Sequence, residues 1–192
     1  MILVACEFSG RVREALRDNG VDAVSCDIEA SDIEGHHYQG DVFEAIKALK
    51  PSAVIAFPPC TYPASSGIHW NTRRPERARE TDKAIEFVKR LWDSAPVVAI
   101  ENPVGVLSTR WIPPTQRIEP WQFGHGETKK TCLWLKGLPT LKPTHIVEGR
   151  AARILAMSPS NERKRQRSLT YQGIADAMGD QWGSILRAID RK

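Results

Sequence analysis

Cys60 follows two prolines, Pro58 and Pro59, which close the apolar run Ala53-Val54-Ile55-Ala56-Phe57. Proline cannot donate to a sheet ladder, so the pair ends a strand at once and leaves a thiol on a rigid turn. In an open α/β sheet, ligands bind at that carboxyl edge. A thiol there suits nucleophilic catalysis. It equally suits a small buried apolar residue, the usual state of a free cysteine. A second apolar run, Val97-Val98-Ala99-Ile100, ends at Glu101-Asn102-Pro103. If the two strands are parallel neighbours, Glu101 stands beside Cys60 at one sheet edge. A third set has the order of a nucleotide-binding βαβ unit. It comprises an apolar strand, the turn Glu7-Phe8-Ser9-Gly10, a helix, a second strand and then Asp27. The glycine lets the backbone approach a ligand, and the acid accepts hydrogen bonds from ribose hydroxyls. With a single glycine in that turn, the dinucleotide pattern G-x-G-x-x-G is not met. Asp41 reads first as a helix N-cap, and its position also allows it to face a cofactor ring.

These residues need elements to hold them. Residues 2–5 form a short apolar strand, and Val12, Ala15 and Leu16 have helical spacing up to the stop at Asn19-Gly20. A strand spans 21–26, and 29–40 reads as polar loop. Val42, Phe43, Ala45, Ile46 and Leu49 form a helical face that ends at Pro51. Thr61 to Arg74 reads as a flexible polar connection, either a lid or simply exposed chain. Residues 75–93 form an amphipathic helix with Pro75 in its first turn and Ala84, Phe87, Val88 and Leu91 on its core face. Thr131-Cys132-Leu133-Trp134-Leu135 is a further strand, preceded by Lys129-Lys130, and 138–170 reads as irregular and basic. The last helix runs from Gly173 to Ile189, with Ile174, Met178, Trp182, Ile185 and Ile189 on one side.

A chain of 192 residues reads as one domain, 1–192, with enough length for a core. Hydrophobic residues at 41% and charged residues at 26% place it among ordinary globular chains. No apolar run approaches the ~20 residues of a membrane span. The apolar start, Met1 to Ala5, lacks a basic leader and reads as a strand. Cys6, Cys26, Cys60 and Cys132 are widely spaced and form no C-x-x-C pair, which argues against disulfides or zinc and for a reducing cytoplasm. His36-His37 has no metal-ligand spacing. The net charge of +4 permits a polyanionic partner without demanding one. The positive charge gathers at Arg73, Arg74, Arg77 and Arg79, then at Arg163, Lys164, Arg165 and Arg167. The second run fits either phosphate contacts or a solvated loop.

The ordered set Phe8-Ser9-Gly10, Asp27, Asp41, Pro59-Cys60 and Glu101-Asn102 resembles the catalytic domain of the cytosine-C5 DNA methyltransferases. The resemblance covers residues 1–137, with an echo at Arg167-Ser168-Leu169-Thr170, and is nearest to short phage or prophage proteins. It implies a Rossmann-like α/β fold with a mostly parallel sheet and helices on both faces. It makes Cys60 the nucleophile toward cytosine C6 and Glu101 the group that holds a proton at N3, for which burial must raise its pKa. The turn amides and Lys129 would activate the thiol. S-adenosylmethionine would be the cofactor, against Phe8, Ser9, Gly10, Asp27, Ile28, Asp41 and Pro59. DNA would be the partner, with Arg163, Lys164, Arg165 and Arg167 on phosphates. The chain departs from the family pattern in several places. Arg11 and Arg13 stand where further glycines are usual, and Pro103 replaces a valine. The family's Q-x-R-x-R becomes Glu127-Thr128-Lys129-Lys130-Thr131, and the short segment 137–170 replaces a target-recognition domain. A protein partner supplying recognition is one consequence. A non-catalytic binding module and modification of a free pyrimidine nucleotide are the alternative readings. The amino-methyltransferase pattern fits less well, because Phe57 precedes the prolines where a polar group would hold the amine.

Overall fold

The computed structural model of the chain describes residues 1–158 and 160–191. The first half holds β1 (Ile2–Ala5), α1 (Arg11–Asp18), β2 (Ala23–Asp27), β3 (His37–Gln39), α2 (Val42–Leu49) and β4 (Ala53–Ala56). A 3-10 helix (Ser65–Thr72), α3 (Pro75–Trp92), β5 (Val97–Pro103), α4 (Leu107–Arg110) and β6 (Gln116–Ile118) follow. The chain ends with β7 (Thr131–Lys136), α5 (Arg153–Ala156), α6 (Asn161–Ser168) and α7 (Gln172–Asp190).

The strands form one sheet in the order β3-β2-β1-β4-β5-β7-β6. The first five strands are mutually parallel, and β7 runs antiparallel to both β5 and β6. The fold is therefore Rossmann-like, α/β with a mostly parallel sheet. The chain winds outward from β1 to β3, then returns to lay β4 on the other side of β1. The loops leaving β1 and β4 diverge at this switch point, the place where open α/β sheets bind ligands.

Alternation along the central strands feeds two apolar layers. Ile2, Val4 and Ile55 pack with Leu16 of α1 and Met178, Trp182 and Leu186 of α7. Leu3, Val54, Val98 and Ile100 pack on the other face with Ile85, Val88 and Leu91 of α3. The rigid sheet between these layers holds the loops at its edge.

Three sequence expectations need correction. Residues 29–40 contain β3, whose polar triplet His37-Tyr38-Gln39 lacks an apolar signal and is recruited by pairing Ser25↔His37 through Asp27↔Gln39. Segment 137–170 is not wholly irregular, since it holds α5 and α6. The helix Asn161–Ser168 buries none of its residues, so it has no apolar period to read, and Ser160 caps it by accepting from the Arg163 N–H. Thr61 to Arg74 is not a loose connection either, because the 3-10 helix occupies most of it. In α3 the phase also differs slightly: Ile85 is buried with Val88 and Leu91, while Ala84 and Phe87 are only half-buried.

Candidate active site

β4 and β5 pair in parallel with Ala56 opposite Ile100, so the residues that follow, Phe57 and Glu101, stand side by side just past the end of β4, with β5 running on to Pro103 against β7. The Phe57 N–H donates to Ala5 O at 2.9 Å and carries β4 one step further along β1. Asn102 is fully buried, and its Nδ2 donates to Pro58 O at 2.8 Å. That bond ties the Pro-Pro-Cys turn to the strand that bears Glu101. Beyond the turn, Val106 N donates to Pro63 O at 2.9 Å and Ser65 N to Val104 O at 3.0 Å. The two chain segments touch at Gly105, where an added Cβ would lie 1.9 Å from Pro63 O. The stretches that follow the thiol and the carboxyl are thus laced together backbone to backbone.

The site favours protons on both groups. Burial pushes the half-buried Cys60 thiol above its ordinary range, and the Glu101 charge adds to this. Arg167 and Lys129 pull the other way, Lys129 in the direction the sequence reading expected of it, and burial outweighs them. Removal of charge from water is the dominant effect. Burial also raises the Glu101 carboxyl, with Lys129 and the Thr131 side chain opposing. Lys129 itself is engaged elsewhere: its Nζ donates to Arg167 O at 2.7 Å and Leu169 O at 3.4 Å. Its backbone N–H donates to Glu119 Oε2 at 2.9 Å. Lys129 therefore fastens the end of α6 to the start of β7 and acts on Cys60 through its charge.

The loop after β1 holds the other half of the edge. Gly10 has φ +73°, a left-handed turn that leads into α1. Cys6, the first residue past β1, also has positive φ, at 57°, strained for a residue with a Cβ. Glu7 is only 4% exposed. Its Oε1 accepts from Ser9 Oγ and, at 3.1 Å, from Arg11 N. Its Oε2 is buried with no hydrogen-bond partner. Phe8 and Ser9 are buried beside it. Asp27 accepts from Glu29 N at 3.0 Å, and the neighbouring Ile28 is 76% exposed. Asp41 is an N-cap, with Oδ1 accepting from Phe43 N at 2.8 Å and Glu44 N at 3.2 Å. Pro59 is exposed on the turn, above the buried Pro58. S-adenosylmethionine offers an ammonium, a ribose diol and an adenine ring. An orphaned buried carboxylate oxygen, an acid at the end of β2 and an open apolar side chain next to it suit these groups.

The basic run separates into different roles. The Arg165 guanidinium pairs with Asp32 and, at 3.8 Å, with Glu29, and lies 4.7 Å from the Phe8 ring centre. Arg11 donates to Thr170 O at 2.8 Å. α6 is therefore tied to the Phe8 loop, and Arg165, though exposed, is paired with two acids of the protein. Arg167 is half-buried and its charge acts on Cys60, Lys164 is exposed, and the Arg163 N–H donates to Ser160 Oγ at 3.0 Å.

Several site residues carried no clear signal in the sequence. Arg13 is completely buried, donating to Ser25 Oγ at 2.9 Å, Ser31 Oγ at 3.2 Å, Ile33 O at 2.8 Å and Glu34 O at 3.2 Å. It clamps the loop that carries Asp32, yet an arginine in a short helix reads as solvent-facing. Glu7 had one usable clue, its place directly past a buried strand. Gly105 had another, its place just past Glu101-Asn102-Pro103. Among the described residues, no group of three or more His, Cys, Asp or Glu could hold a metal ion, and no helix is long and apolar enough to cross a membrane.

No family model matches the chain, and no curated protein matches it. Solved structures do. A DNA modification methyltransferase encoded within a prophage of E. coli is 15% identical, with a TM-score of 0.48 over 76% of this chain and 51% of that one. A Spodoptera frugiperda DNMT2 variant is 15% identical, with a TM-score of 0.42 over 76% of this chain and 54% of its own. The Entamoeba histolytica methyltransferase EhMeth is 12% identical, with a TM-score of 0.44 over 83% of this chain and 60% of its own. The chain thus spans roughly half the length of the structures it matches, from 51% to 60% among these three.

Proposed function

We propose that the chain is an S-adenosylmethionine-dependent methyltransferase acting on C5 of cytosine in DNA, with Cys60 as the attacking group. The observation that carries this reading is the locked juxtaposition of Cys60 and Glu101 at the switch-point edge, fixed by the Asn102–Pro58 hydrogen bond. Cytosine C5 is a poor nucleophile until a group adds at C6. Burial raises the pKa of both site residues, which favours the protonated forms the step starts from. Cys60 releases its proton to solvent as Sγ forms the bond to C6, the C5–C6 π electrons shift toward N3, and Glu101 places its proton on N3. The ring then carries no net negative charge, and C5 has enamine character. The cofactor, when bound, supplies an electrophilic methyl group. Glu7, Phe8, Ser9, Gly10, Asp27, Ile28, Asp41 and Pro59 would hold it. After transfer, the C5 proton passes to solvent, its C–H electrons reform the C5–C6 double bond, Sγ leaves C6 and takes a proton from solvent, and the N3 proton returns to Glu101.

Radiolabelled S-adenosylmethionine incubated with the chain and cytosine-containing DNA tests this. Label in C5 of cytosine from wild type, and none from Cys60→Ala, supports the reading. Label from Cys60→Ala, or bound cofactor with no transfer to any DNA, overturns it.

A further inference from the structure

We infer that Trp70, Arg73 and Arg74 form the platform on which the substrate strand lands, and that the strand is single-stranded nucleic acid. This rests on the reading that Cys60 attacks a cytosine base, and it specifies which nucleic acid brings that base.

The platform lies in the chain segment that leaves Cys60. Trp70 is 40% exposed at the end of the 3-10 helix. The guanidinium carbons of Arg74 and Arg73 lie 5.0 and 5.8 Å from its ring centre. Among the described residues neither arginine side chain makes a hydrogen bond or an ion pair, and both are exposed. No acid occurs between Glu44 and Glu76 to neutralise them. His69, Ser65 and Ser66 are exposed on the same segment. A partly exposed indole with two guanidinium groups over its ring and the His69 ring 5.0 Å away combines an aromatic surface with phosphate-binding charge.

The surface is preorganised. Arg77 donates to Gly67 O at 3.2 Å and Thr61 O at 3.0 Å, and its guanidinium stands 5.1 Å from the Tyr62 ring centre. Asn71 donates to Thr81 Oγ1 on α3 at 2.9 Å. The Arg73 and Arg74 N–H groups both return to Trp70 O. The strand therefore meets a fixed shape, and little ordering is left to do on binding.

The preference for a single strand follows from what each element can touch. The face of an indole stacks only on a base whose own face is open, and a duplex conceals its base faces. Reading a duplex instead takes a helix or ribbon placed in a groove. On the strongly basic helix α6, part of the charge and the last carbonyls are already engaged: Arg165 is held by Asp32, Glu29 and Phe8, and Lys129 holds the carbonyls. A single strand also presents cytosine to Cys60 without unpairing it.

Fluorescence anisotropy of a dye-labelled cytosine-containing oligonucleotide, free and as duplex, tests this on the full chain. The single strand should bind more tightly. Trp70→Ala should weaken it by about five- to a hundredfold, with Trp70→Phe recovering most of the loss. Arg73→Ala with Arg74→Ala should flatten the salt dependence by about 1.4 in log–log slope. Equal or tighter duplex binding, or no effect of Trp70→Ala, overturns the inference. Trapping on 5-fluorocytosine separates it from the reading beneath it. An adduct on duplex alone overturns the single-strand inference and leaves Cys60 as the nucleophile. Trp70-dependent single-strand binding with no adduct on either form supports the platform and overturns the Cys60 reading.

Discussion

Gly105→Ala should damage the site more than any other single methyl group added near it. The new Cβ would sit 1.9 Å from Pro63 O, 2.8 Å from Pro63 C and 3.0 Å from Ala64 Cα, all of them backbone atoms that no rotamer change can move. An ordinary carbon–oxygen approach is about 3.3 Å, so the two segments must part by about 1.4 Å. That breaks Val106 N→Pro63 O and Ser65 N→Val104 O, now 2.9 and 3.0 Å. At about 1 kcal/mol net per bond, with a further penalty for any group left buried and unpaired, the loss is roughly 2–4 kcal/mol. The chemical effect is larger, because these segments set the spacing of Cys60 and Glu101. A misplacement of about 1 Å costs on the order of a hundredfold in rate. Urea unfolding followed by circular dichroism gives the first number, and the rate of methyl transfer at saturating cofactor gives the second. An unchanged unfolding midpoint together with an unchanged rate would refute the claim that this lacing positions the site.

Glu101→Gln removes the charge that helps hold the Cys60 thiol up. Iodoacetamide should therefore label Cys60 faster in the variant while methyl transfer falls, and slower labelling would contradict the coupling. The Glu101 carboxyl is raised in the fold, so its stabilising proton is fully bound below the ordinary carboxylate range and is lost as pH rises through the raised value. Glu101→Gln should accordingly be the more stable form at neutral pH, and urea midpoints should converge on acidification. Arg13→Met strands two hydroxyls and two carbonyls and should cost upwards of ~3 kcal/mol, read as a drop in unfolding midpoint. Asp27→Ala should weaken S-adenosylmethionine about ten- to a hundredfold by calorimetry. Asp41→Ala should lower stability by about 1 kcal/mol through its lost cap, and an unchanged midpoint would remove that role.

The parts of the molecule legible in the sequence are those written in apolar runs and their stops. The strand over Ala53–Ala56 is continuous hydrophobe stopped by two prolines and could be read directly; Val97 to Ile100 could be read as a strand too, but β5 runs on through Glu101-Asn102-Pro103 because β7 pairs with it there. β3 and α6 could not, because neither buries an apolar side that would impose a period. The site divides the same way. Asp27 ends its strand, Cys60 lies on the turn after β4, and Glu101 follows the last residue that β5 pairs with β4, so residue type and position suffice for them. The protonation of Cys60 depends on a balance between burial, one carboxylate and two cations from distant segments, Arg167 and Lys129. Local sequence does not contain that balance. Arg13 and Asn102 belong to the same class: each is a polar side chain fully buried by partners far along the chain, and only the fold brings those partners to it.

The most direct test of the account is mass spectrometry of the chain mixed with S-adenosylmethionine and DNA carrying 5-fluorocytosine. Fluorine at C5 cannot leave as the proton does, so an attacking group stays bonded to C6. The account predicts a covalent adduct on the peptide that contains Cys60, absent from Cys60→Ala. Bound cofactor with no adduct, or an adduct on any other residue, would contradict it.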